Sequence, residues 1–326
     1  MERTANAGGA DPRAFSDEDF LSEVFIEEQD LQKLKYLLQK KRNLILQGAP
    51  GTGKSFAARK LASLMVGRDM PNDPRVEFVQ FHSQSSYENF IYGWRPTPSG
   101  GMRQCPGGFV RFCTRAHEDR SHEYAVIIDE INRADMGKVF GLVSMAMESS
   151  HRDEYVSLPF DEYDSEGRPT GRDVRFCVPS NLSIIGIINT ADRELTSIDY
   201  ALRRRFAFYT MRPAFRLVKG KLVMNARFAS EVALFQREDG SNPLLSLIEN
   251  VALLNKEIAA AKQVYGNSFC IGHSYFCGLD YANPEQALYE VREFELKPLI
   301  EEYCFHDLDT ARRWTNILMR GTEGAQ

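Results

Sequence analysis

The chain has 326 residues, of which 43% are hydrophobic and 26% charged, with a net charge of −5. That composition excludes a disordered chain, a collagen-like repeat and a disulfide scaffold, and the acidic balance gives no global nucleic-acid footprint. No apolar run approaches the ~20 residues of a membrane helix, and six cysteines lie scattered without a CxxC pair, so we expect a cytoplasmic protein with reduced thiols and no membrane partner.

In chain order, residues 1–16 carry Gly, Ala, Pro and charge without apolar periodicity and read as a flexible tail. A helix follows. Glu27, Glu28 and Asp30 suit its positive end, Leu31, Leu34, Leu37 and Leu38 mark one face, and Lys40, Lys41 and Arg42 close it. Asn43-Leu44-Ile45-Leu46 reads as a buried strand, then a Gly-rich turn, then a helix from Phe56 to Val66. This succession predicts a parallel α/β unit. Further strands are expected at Glu77–His82, Tyr124–Asp129, Leu182–Asn189 and Phe206–Met211. Helices are expected at Phe109–Ala116, Lys138–Glu148 and Ser197–Arg204, an inserted segment over Ser83–Ser121, and a long-tipped hairpin over Tyr155–Val178. Beyond Pro213 the spacing turns helical, with Leu244, Ile248, Val251, Leu254 and Ile258 on one face and more helix near Pro284–Tyr303 and Thr310–Met319. The predicted division is a tail over 1–16, a parallel αβα core over 17–213 and a helical lid over 214–326.

The turn Gly48-Ala49-Pro50-Gly51-Thr52-Gly53-Lys54-Ser55 has Walker A spacing. Small residues let the backbone curl so that its N–H groups face an anion, and the next helix, from Phe56, adds its dipole. Lys54 would meet the β- and γ-phosphates and Ser55 would ligate Mg²⁺. A chance Gly-rich turn is the bland alternative, and the strand before with the helix after argues against it.

Tyr124–Ile128 is an apolar strand ending in Asp129 and Glu130. Strand ends reach the same sheet edge as the phosphate loop. There Asp129 would support Mg²⁺ and Glu130 would act as base for the attacking water. Leu182–Ile188 delivers Asn189 to that edge, where an amide would sense the γ-phosphate and position water. Asn189-Thr190-Ala191-Asp192 also resembles a guanine-reading tetrapeptide, but a side chain at the γ-phosphate is badly placed to reach the base. Arg203, Arg204 and Arg205 close the last core helix. They suit the helix dipole, and Arg204 and Arg205 would equally serve as fingers offered in trans to a neighbour's nucleotide.

Together these segments resemble the AAA+ NTPases. The wording of Phe78–His82, Asp129–Ala134, Asn189–Arg193, Ala201–Phe206 and Gly272-His273-Ser274-Tyr275-Phe276 resembles the McrB motors of modification-dependent restriction systems. The resemblance implies an AAA+ core with a C-terminal helical lid, a homo-oligomer, in that family a hexamer, and hydrolysis of GTP (or ATP) with Mg²⁺. It also implies a McrC-like nuclease partner and DNA translocation, with DNA met indirectly or through the partner. The alternative is an ATP-driven protein remodeller similar to the MoxR chaperones. Two departures stand out: only a short tail stands where that family usually carries an N-terminal recognition domain, so that domain has been cut away or another subunit reads the DNA, and Gly272–Phe276 lacks a lid arginine, leaving His273 or Ser274 as lid sensors. Cys270-x2-His273-x3-Cys277 has three zinc-type ligands where a structural site wants four, so buried thiols are the expectation.

Overall fold

A computed structural model describes residues 14–70, 72–97, 100–163, 168–192, 198–261 and 265–321. A helix that the sequence reading did not name comes first. Ser16 caps a helix α1 (Asp17–Glu23): its hydroxyl accepts from the Asp19 amide while the Asp19 carboxylate accepts from the Ser16 amide at 2.8 Å. Such a reciprocal cap contributes about 1 kcal/mol to a helix too short to stand on propensity. α2 (Glu28–Lys41) buries Leu31, Leu34 and Leu38 and ends at Arg42 in the left-handed region.

Next come β1 (Asn43–Gly48), α3 (Lys54–Val66), β2 (Val76–Gln80), α4 (Tyr87–Phe90), β3 (Tyr92–Pro96), β4 (Met102–Pro106), α5 (Gly108–Glu118) and β5 (Tyr124–Asp129). They are followed by α6 (Met136–Phe140), β6 (Val156–Tyr163), β7 (Pro169–Phe176), β8 (Leu182–Asn189), α7 (Tyr200–Arg203) and β9 (Ala207–Thr210). β2, β5, β8, β1 and β9 lie side by side in that order as one parallel sheet. Alternation along each strand supplies both faces. Leu44, Leu46, Ala125, Ile127, Ile185 and Ile187 pack with α1, α2 and α3, whereas Ile45, Val126, Ile128, Ile184 and Ile188 pack with α5, α6 and the hairpins. This is the expected parallel αβα core. β3–β4 and β6–β7 are antiparallel hairpins inserted between sheet strands. Tip residues 164–167 of the second hairpin lie outside the described residues.

Two expectations change. The helix expected over Lys138–Glu148 stops at Phe140, where Gly141 takes φ +46 and a Cβ would lie 3.0 Å from the Tyr87 ring, and short 3₁₀ turns follow. The helix expected from Ser197 begins only at Tyr200, because Asp199, at ψ 140, caps it and its carboxylate accepts from the Ala201 amide at 2.9 Å; Ser197 itself lies outside the described residues.

The C-terminal part opens with a hairpin that helical spacing did not suggest, β10 (Phe215–Val218) and β11 (Lys221–Met224), turned by Lys219 and Gly220 at positive φ. α8 (Ala226–Ala233), α9 (Pro243–Ala260), α10 (Pro284–Glu290), α11 (Lys297–Tyr303) and α12 (Leu308–Leu318) follow, with a π-helical stretch over Val291–Leu296. They form a third core around fully buried Trp314, Ile248 and Leu296. No helix among the described residues is long and apolar enough to cross a membrane.

Candidate nucleotide site

β1 ends at Gly48, where a Cβ would lie 2.5 Å from the Met211 carbonyl oxygen, so only glycine lets the chain turn there. Gly51 and Gly53 adopt φ +72 and +74, which an L side chain resists. Inside the turn the Lys54 ammonium donates to the Gly48 and Ala49 carbonyls at 2.9 and 2.8 Å, and the Thr52 hydroxyl donates to Ala49 O at 2.9 Å. Lys54 is 8% exposed. Burial pulls its pKa down to about 8, against the opposing pull of the Glu130 and Asp129 charges. A buried ammonium on neutral carbonyls beside two acids is set to gain from an anion.

From the next strand but one, β5 brings Asp129, whose Oδ2 accepts from the Ser55 hydroxyl at 3.3 Å. A hydroxyl and a carboxylate on one another are the oxygen donor set that suits Mg²⁺. Glu130 follows at φ +51, ψ +40, a left-handed non-glycine residue tied down by its own amide on Asp129 Oδ1 at 3.0 Å. Strain of this kind gathers at functional sites. Between these strands β8 ends at Asn189, in register with Gly48, with the Thr190 amide on Gly48 O at 3.0 Å. The Walker turn, Asp129, Glu130 and Asn189 thus share one sheet edge. Arg133 escaped the sequence reading: its guanidinium bridges Glu130 at 3.3 Å and Asp192 at 2.7 Å. Its signal was the Glu-to-Arg spacing of three, which brings side chains together on a helical turn. Arg193 lies outside the described residues.

Arg204 and Arg205 occupy the other end of the sheet. The Arg205 carbonyl accepts from Asn43, the first residue of β1, so a whole strand of roughly 16 Å separates them from the Walker turn. Arg204 has a side chain 68% exposed, whereas that of Arg205 is 9% exposed, with its guanidinium on the Ala201 carbonyl at 2.8 Å.

The lid segment 272–275 braces the turn from outside. The Gly272 and Ser274 amides donate to Pro50 O and Gly51 O at 3.0 and 2.9 Å. A Cβ on Gly272 would fall 2.0 Å from the Gly51 carbonyl. His273 is 5% exposed between Phe25 and Phe228, takes the Ala214 amide on Nδ1 at 3.1 Å and has its pKa pulled down to about 4 by burial. No cluster of three or more metal-ligating side chains exists among the described residues. Of the two thiols expected to be buried, Cys270 is, and burial pushes it up to about 11, whereas Cys277 is exposed. Beside the turn lies a cavity of about 500 Å³ lined by Val24, Phe25, Phe56, His273 and Leu279, apolar walls of a size for a nucleobase and sugar.

Residues 43–206 match the AAA domain (dynein-related subfamily), and residues 246–312 match the McrB alpha-helical lid domain. The chain belongs to the AAA family. Among its relatives is the Type IV methyl-directed restriction enzyme EcoKMcrB subunit of Escherichia coli (strain K12), 42% identical over 93% of this chain and 62% of that protein. Another is the Type II restriction enzyme BsuMI component YdiS of Bacillus subtilis (strain 168), 28% identical over 58% of this chain and 63% of that protein. The chain therefore spans less than two thirds of the length of these relatives. The similarity to the EcoKMcrB subunit runs through both the sheet domain and the lid.

Proposed function

We propose that this AAA protein is the nucleotide-hydrolysing motor of a restriction system. It works as a ring, a hexamer on the family pattern, that turns over GTP or ATP and drives DNA for a McrC-type nuclease partner. The observation that carries this reading is the convergence of Lys54, Ser55–Asp129, Glu130 and Asn189 on one sheet edge, with Arg204 and Arg205 a strand length away. In this reading a second subunit adds its own arginine to a site that already holds Lys54 and Arg133.

In this scheme the amides of the Gly48–Ser55 turn and the Lys54 ammonium hold the triphosphate, and α3, which starts at Lys54 and carries Phe56 in its first turn, sets its positive end against it. Ser55 and Asp129 would hold Mg²⁺, which when bound offsets charge on the phosphate oxygens. Glu130 takes the proton from the attacking water, Asn189 orients that water, and a neighbour's Arg204 or Arg205 meets the charge developing on the γ-phosphoryl oxygens. Phosphoryl transfer of this kind is positioning and electrostatics, so the pieces act as a unit. The McrB-type lid and the 42% identical relative support a restriction motor over a protein remodeller.

The test is phosphate release with each nucleoside triphosphate alongside oligomer mass, for the wild-type chain and for Glu130→Gln. The variant should bind nucleotide and assemble but release no phosphate above background. A Glu130→Gln chain that hydrolyses at the wild-type rate would overturn the assignment of the base.

A further inference from the structure

At the sheet end remote from the Walker turn lies a polar cluster with no role in the chemistry above. Arg152 is 8% exposed, and its guanidinium makes four hydrogen bonds: to the carbonyls of Met147 at 3.1 Å, Pro179 at 3.0 Å and Leu182 at 2.8 Å, and to Asn43 Oδ1 at 2.6 Å. All four acceptors are neutral. A buried cation without a carboxylate on it is costly, and what it gains here is fixed geometry. Asn43, fully buried, turns its amide the other way, donating to Met147 O at 2.8 Å and Arg205 O at 3.1 Å. The residue after Met147 is Glu148, whose carboxylate stands 3.5 Å from Arg204 and 3.6 Å from Arg205. At the surface the Lys41 ammonium donates to Arg204 O at 2.7 Å and Phe206 O at 3.2 Å.

The backbone of the arginine turn and the carboxylate facing its guanidinium groups are thus referenced to one pair of side chains at the start of the sheet. We infer that Asn43 and Arg152, with Lys41 outside them, are positioning residues that set the Arg204–Arg205 turn for the neighbouring subunit's nucleotide. The inference rests on the trans-arginine reading above. It places the control of hydrolysis in one subunit at a polar cluster buried in the next. A fixed turn reduces the ordering cost of presenting a long cationic side chain across an interface.

The two readings separate by experiment. Asn43→Asp keeps the acceptor for Arg152 and gives it a counter-charge, but sets a carboxylate against the Arg205 carbonyl. Lys41→Met removes the outer tie at the surface, where folding is not at stake. Each variant is assayed alone for thermal midpoint, nucleotide KM and kcat, and again in rings mixed with Glu130→Gln subunits, which lack a base but present a native arginine turn. The inference expects kcat at least tenfold lower in Asn43→Asp, a smaller fall in Lys41→Met and KM within about threefold of wild type. It also expects activity per Asn43→Asp subunit to return on mixing. If mixing restores nothing, or both variants turn over at the wild-type rate, the positioning role is wrong. If Arg204→Ala/Arg205→Ala rings themselves hydrolyse normally, the trans reading falls and this inference falls with it. Loss in the arginine variant with full activity in Asn43→Asp and Lys41→Met removes this inference alone.

Discussion

Glu130 shows how one residue's backbone and side chain are constrained together. Its left-handed φ turns the chain at the end of β5, and the Arg133 guanidinium holds its carboxylate at 3.3 Å while gripping Asp192 at 2.7 Å. In the proposed role as base, the Glu130 carboxylate needs its direction fixed, and Arg133 supplies a fixed partner without closing the site, being half exposed itself. Arg133→Ala should lower kcat at least tenfold and leave nucleotide KM within about twofold, read by steady-state phosphate release. Arg133→Lys should recover only part of the loss, since an ammonium cannot bridge two carboxylates as a planar fork does. A kcat unchanged in Arg133→Ala would show that Glu130 is held by its own turn alone.

At the scale of elements, the seam between the lid and the Walker turn decides how tightly the two halves are joined. Gly272→Ala drives a Cβ into the Gly51 carbonyl, and we expect a loss of about 2–3 kcal/mol, a fall in Tm on the order of 5 °C, together with weaker nucleotide binding. Gly108→Ala, whose Cβ meets nothing within 4 Å at the start of α5, is the control and should stay within a few tenths of a kcal/mol. The same seam carries a pH dependence. His273 is held down to about 4 by burial, below its unfolded value of ~6.5, so between those values the unfolded chain binds the extra proton. Stability is therefore full above pH ~6.5 and declines as pH falls towards 4, by up to about 3 kcal/mol from this group. His273→Asn, which keeps an acceptor for the Ala214 amide, should flatten that part of a denaturation-versus-pH curve; an unchanged slope would assign the acid sensitivity elsewhere.

The elements also show what a sequence makes legible. β1, β5 and β8 are buried on both faces, so each is an apolar run, and their ends meet at one sheet edge; that Gly48–Ser55, Asp129, Glu130 and Asn189 would lie together was readable for that reason. α1 was not, because seven residues hold too little periodicity and only the Ser16 and Asp19 pair announces it. The β10–β11 hairpin was hidden behind the helical spacing that follows it, although Lys219-Gly220 between alternating residues is a turn signal. The break at Gly141 depends on the Tyr87 ring, far away in sequence, as the bracing of Pro50 and Gly51 depends on Gly272 and Ser274. Contacts of that kind leave no local pattern to read.

For the whole molecule, the sheet has two working ends. In the proposed scheme one end would grip and break a triphosphate, and the other carries Arg204, exposed, beside the nearly buried Arg205, so that a single subunit would hold half of two sites. Rings with heterologous contacts join such halves without further design. The most direct measurement mixes two chains that are each inert alone: Glu130→Gln, without a base, and Arg204→Ala/Arg205→Ala, without fingers. Phosphate release from the mixture should rise well above either parent, because every arginine-less site beside a Glu130→Gln neighbour regains a cation. A mixture as silent as its parents, with mixed rings shown by mass, would contradict hydrolysis shared between subunits.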